Sequence, residues 1–207
     1  AYADVQAELF QRMCTYDPRL RSISGRGPAV DPLPQPTEYT FAQGEVCDRG
    51  SKRQPPHQPK RNMTLTLTLP AVNDESNGVL VSAGSFRFGY TLRLDEGVLR
   101  FATQRWQNEP VVLETPLAAT AEPVNIAARW MRGGAIALCV NGTEVAAGNA
   151  GGDMPATTGR EIRDTAGSVA VGRSINGPDC IPLLSDTPDD DTYTATITDV
   201  KLNLLNH

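Results

Sequence analysis

Trp106, with Arg105 beside it, could hold a sugar, because an indole face stacks on the apolar face of a sugar ring. They lie in Gln104-Arg105-Trp106-Gln107-Asn108, where polar flanks point to an exposed tryptophan; the alternative is partial burial against a neighbouring loop. The other tryptophan, Trp130, ends an apolar run and is expected in the core. A second group is the acidic run of Asp186, Asp189, Asp190 and Asp191. Its hard oxygens suit calcium, and the bland reading is a solvated acidic loop. Calcium is the one cofactor with any candidate ligands.

Catalytic groups are harder to assemble. Nucleophilic catalysis needs a base held by a rigid scaffold. The two histidines are His57, in a proline-rich stretch, and His207, at the terminus. Glycoside hydrolysis needs two carboxylates facing across a groove, and Glu109, Glu114, Glu122 and Glu144 follow no pattern that would place a pair. No complete catalytic centre is therefore expected.

The four cysteines, Cys14, Cys47, Cys139 and Cys180, contain no CxxC pair, which argues against a zinc ribbon. Their even number fits two disulfides. Cys14–Cys47 with Cys139–Cys180 is preferred, because each pair stays within one region; four buried free thiols is the alternative. Disulfides would imply an exported compartment, secreted or periplasmic. Asn62-Met63-Thr64 and Asn141-Gly142-Thr143 fit the N-glycosylation pattern, which matters if the source is eukaryotic.

These residues must be carried by a chain of 207 residues, 40% hydrophobic, with a formal charge of -5. That length allows one large β-sandwich. The acidic balance argues against nucleic acid as a partner. The one basic stretch, Lys52-Arg53 to Lys60-Arg61, is broken by prolines and reads as a solvated linker. No apolar run approaches the roughly 18 residues of a membrane span. Because it opens on Ala1 rather than Met, the chain is expected to be processed or a piece of something longer.

Three regions are expected. Residues 1–16 hold a helix, with Val5, Leu9 and Met13 at helical spacing and Pro18 ending it. Residues 17–61 form an extended proline-rich connector whose one strand would be Thr37–Phe41. Residues 62–207 are all-β. Met63–Leu69 alternates leucine with threonine, as a half-buried strand does. Asp95-Glu96-Gly97 and Asn141-Gly142 mark hairpin turns. In the last strand Tyr193, Ala195 and Ile197 alternate in one phase and Val200, Leu202 and Leu204 in the other. A bulge near Thr198-Asp199 must absorb the change. Leu65, Leu67, Leu69, Leu92, Leu94, Ile126, Ile136 and Leu138 are expected in the core.

The order GVLVSAGS, FGYTLRLDEGVLRFAT, PVNIAARW, GAIALCVNGTEVAAG, GSVAVGR and YTATITDVKLNL resembles an antiparallel jelly-roll sandwich of the concanavalin A/laminin-G type over residues 62–207. A narrower likeness covers Ala1–Met13, which is similar to the helix ending the sulfatase catalytic domain; some sulfatases carry a β-rich C-terminal extension. That resemblance implies a non-catalytic C-terminal chain of a sulfatase-like sulfuric ester hydrolase. Residues 1–61 would pack on a larger catalytic chain. The family's C-x-P-x-R signature is not met, since Cys180-Ile181-Pro182-Leu183-Leu184 lacks the arginine. The alternatives are a carbohydrate-binding, lectin-like module and a structural domain of a larger assembly.

Overall fold

The computed structural model describes residues 38–47, 58, 61–85, 88–105, 109–154, 169–173 and 192–205. The chain divides into units 1–35 and 36–207, and all described residues fall in the second. The helix expected within 1–16 therefore lies outside the described residues, as do Cys14 and Cys180.

Twelve strands among the described residues form two six-stranded sheets. The first contains, in spatial order, β1 (Glu38–Phe41), β12 (Thr198–Leu205), β3 (Asn62–Leu69), β8 (Val124–Trp130), β9 (Ala135–Val140) and β10 (Thr143–Asn149). The second contains β2 (Val46–Cys47), β11 (Val169–Val171), β4 (Gly78–Ser85), β5 (Phe88–Asp95), β6 (Val98–Gln104) and β7 (Val111–Pro116). All paired strands run antiparallel. β1 and β2 come from the segment read as a connector, and each lies at an edge of one sheet.

β3 shows why the sheets stack. Met63, Leu65, Leu67 and Leu69 are at most 2% exposed, while Thr64, Thr66 and Thr68 are half-buried on the other face. Each buried leucine contributes about 2 kcal/mol of transfer free energy, which is realised only against a second apolar face. That face comes from Val81, Ala83, Tyr90, Leu92, Leu94, Leu99 and Phe101 of the second sheet. All eight core residues expected from the sequence are buried. In β4 and β11 the alternation is lost: Val79–Ala83 and Val169–Val171 are buried throughout, as in strands covered on both faces.

The turns follow their residues. Glu96-Gly97 and Asn141-Gly142 both adopt positive φ, at 48° and 74° and at 49° and 80°. Two successive left-handed residues make the two-residue turn whose twist matches a hairpin. The phase change in the last strand also occurs where expected. The register of β12 on β3 slips between Thr198 and Lys201, and Asp199 has φ 52°. The slip lets Ile197, Val200, Leu202 and Leu204 all be buried. Cys47 and Cys139 are buried in different sheets.

Tyr90 sits on β5 with no exposed surface, its ring centroid 6.0 Å from that of Phe101. Among the described residues its hydroxyl has no hydrogen-bond partner. A buried hydroxyl without a partner costs about 1–3 kcal/mol. Burial also pushes the phenol above its ordinary range. A folded-state value above the unfolded one means stability is intact below about pH 10 and is lost as pH rises beyond it. Tyr90→Phe is therefore expected to raise the melting temperature by a few degrees and to flatten the loss of stability above about pH 10. A lower melting temperature in Tyr90→Phe would show that the hydroxyl is satisfied.

Candidate functional site

One end of the sandwich gathers the residue after β6, the turn between β8 and β9, and the loop after β10. The turn, Met131–Gly134, is closed by Met131 N–H donating to Ala135 O at 2.8 Å and Gly134 N–H to Met131 O at 3.0 Å. Arg132 N–H donates to Asn62 Oδ1 at 2.8 Å, which ties the turn to the start of β3. The loop Asn149–Met154 packs directly on this turn. Ala150 N–H donates to Gly134 O at 2.8 Å, and Gly133 N–H donates to Asp153 Oδ1 at 2.6 Å. Inside the loop, Gly151 N–H is capped by Asn149 Oδ1 at 2.7 Å.

Three consecutive carbonyls of this loop are each taken by a side chain from another element. Arg105 donates through Nη1 to Gly151 O, and through Nε to Asp153 O at 2.9 Å. Between them, Trp130 Nε1–H donates to Gly152 O at 3.1 Å. Arg105 follows β6 of the second sheet and Trp130 ends β8 of the first, so the loop is stitched to both layers. Two glycines make the approach possible. A Cβ on Gly134 would lie 2.3 Å from Gly152 N, and one on Gly152 would lie 2.9 Å from Arg105 Nη1.

The arrangement is a rim whose backbone is held by side chains from both sheets. The turn and loop present Met131, Arg132, Gly133, Asn149 and Gly151 as exposed residues on a hydrogen-bonded frame. Among the described residues no group of three or more His, Cys, Asp and Glu comes together. Glu114 is paired with Arg100 at 3.2 Å on the second sheet, and Glu144 lies on the edge strand of the first.

Trp130 is buried, as its apolar strand required. Arg105 is half-buried and engaged with the loop backbone. Trp106 and the acidic positions Asp186, Asp189, Asp190 and Asp191 lie outside the described residues, as do His57 and His207. Of the two glycosylation-type asparagines, Asn141 is exposed in its turn and Asn62 is half-buried. Asn141 Oδ1 accepts from Asn125 N–H at 2.8 Å. Sequence reading did not single out Asn149–Asp153 or Gly133-Gly134. The available signal was the spacing of Gly133-Gly134 and Gly151-Gly152, which flank two strands of one hairpin.

The two glycines of the turn provide a direct test. Gly134→Ala is expected to cost about 2 kcal/mol or more, because both its φ of +98° and the Gly152 backbone oppose a side chain. Gly133→Ala has open space and carries only the left-handed penalty, about 1 kcal/mol. Equal losses in urea unfolding would show that the loop does not press on Gly134.

No protein-family model and no curated protein matches this sequence. Solved structures do resemble the fold. Domains LG4-5 of the mouse laminin alpha1 chain superpose with TM-score 0.53 and 17% identity, over 86% of this chain and 44% of that one. The leech intramolecular trans-sialidase, solved with 2,7-anhydro-Neu5Ac, gives TM-score 0.52 and 11% identity over 84% and 26%. The CBM40 of the Ruminococcus gnavus IT-sialidase, bound to alpha2,3-sialyllactose, gives 0.48 and 12% over 84% and 92%. This chain thus spans less than half the length of the laminin fragment. The likeness establishes the fold as a concanavalin A/laminin-G-like jelly-roll sandwich.

Proposed function

We propose that this sandwich is a non-catalytic, carbohydrate-binding module that takes its ligand at the rim built by Arg105, Met131–Gly134 and Asn149–Met154. The observation that carries the reading is the stitched loop, whose three successive carbonyls are held by Arg105 and Trp130. A rim ordered before the ligand arrives loses less entropy on binding. It offers a sugar the exposed Nδ2 side of Asn149, whose Oδ1 caps Gly151, and the exposed apolar stem of Met131. Trp106, next in sequence to Arg105, is the stacking residue in this reading.

Several further points agree with a lectin-like module. The fold is shared with a trans-sialidase solved with a sialic acid derivative, although this likeness by itself concerns architecture. An exported location, where glycans are met, goes with the same reading. The other reading, a C-terminal chain of a sulfatase-like hydrolase, rests on Ala1–Met13 and the order of segments, and no observation among the described residues favours it.

The test is a glycan array probed with the full chain, followed by calorimetry on any sugar retained. Wild-type protein is expected to bind a restricted set of glycans, and Trp106→Ala to weaken that binding about tenfold or more. A folded protein that retains no glycan, or a Trp106→Ala variant that binds as well as wild type, would remove the module reading or the stacking role respectively.

A further inference from the structure

The guanidinium of Arg105 is committed in an unusual way. Among the described residues it pairs with no carboxylate; Asp153 Oδ1 accepts from Gly133 N–H instead. The positive charge faces backbone oxygens, those of Gly151 and Asp153. It also lies against Gly152, where a Cβ would stand 2.9 Å from Nη1, 3.0 Å from Cζ and 3.1 Å from Nη2. Converging backbone oxygens around a positive charge are the arrangement that hard cations such as calcium use in loops. A guanidinium fills that role from within the chain, with its planar fork matched to two acceptors.

We propose that Arg105 is the positioning residue of the rim, a built-in cation that holds loop Asn149–Met154 in its binding-ready form without a metal. This rests on the rim being the ligand site. Arg105 acts through the loop, and it ties a segment of the first sheet to the end of β6 in the second. Removing the guanidinium leaves the Gly151 and Asp153 carbonyls to water and frees the backbone that Gly134 and Trp130 touch. The loop then samples more conformations, and a ligand must order it.

The experiment compares full-length wild type, Arg105→Met and Arg105→Lys by amide hydrogen exchange and by the indole N–H resonance of Trp130, each with and without a calcium chelator. In wild type, exchange at Gly133, Ala150 and Gly151 and the Trp130 resonance should ignore the chelator. Arg105→Met should speed exchange at those three amides about tenfold and shift the Trp130 resonance. Protection along β5 should stay unchanged, which shows that the sandwich is intact. Arg105→Lys, which keeps the charge and loses the fork, should fall between, and affinity for any retained glycan should fall in the same order. Unchanged loop exchange in Arg105→Met would overturn the proposal, and so would a wild-type loop loosened by the chelator. A loosened loop with unchanged glycan affinity would overturn the positioning role. The expected exchange pattern in a protein that binds no glycan would support the clamp and remove the binding reading, so the two failures are told apart.

Discussion

The leucines of β3 can be buried in only one register. Leu65, Leu67 and Leu69 share a face with Met63, and a slip of one residue would turn that whole face to water and Thr64, Thr66 and Thr68 to the core. This strand lies near the middle of the first sheet, between β12 and β8. Its alternation therefore sets the phase of both neighbours: Leu65 stands opposite Leu202 on one side and Ala128 on the other. The second sheet must supply a matching apolar surface, and β4, β5 and β6 do so.

The same constraint explains the irregular places. The chain before β12 brings Tyr193 and Ile197 into the core on one alternation, while β3 demands Val200, Leu202 and Leu204 on the other. One extra residue reconciles them, and Asp199 takes a left-handed conformation to do it. Asp tolerates that region better than a β-branched neighbour would. Gln43 supports the corner, with Nε2 donating to Ala195 O at 2.6 Å and Oε1 accepting from Ile197 N–H at 3.0 Å. A residue between β1 and β2 thus holds the approach to β12 from more than 150 positions away in sequence.

The rim follows from the ends of these strands. β6 and β8 belong to different sheets, yet the residue after one and the last residue of the other reach the same three peptide groups. The loop that supplies those groups is rich in glycine because its backbone must approach the Met131–Gly134 turn closer than any Cβ allows. Hydrogen bonds from a charged donor are stronger than neutral ones. The outcome is an ordered surface at one end of a sandwich, away from the two hydrophobic faces that hold it together.

Much of the architecture was determined by the sequence alone. Period-two alternation in Met63–Leu69, the Asn141-Gly142 and Glu96-Gly97 turns, and the phase change before Val200 are local signals, because each depends on neighbours within a few residues. They specify strands, hairpins and a bulge, and the burial of the expected core follows. The strand expected at Thr37–Phe41 is present as Glu38–Phe41, but that it and Val46–Cys47 join opposite sheets is set by pairing with β12 and β11, far along the chain. Arg105 was singled out beside a tryptophan as a sugar contact, whereas the tertiary structure decided where its guanidinium goes. Only folding brings the end of β6 against Gly151 and Asp153, about 46 to 48 positions later, where a planar cation meets carbonyl oxygens that no sequence pattern marks.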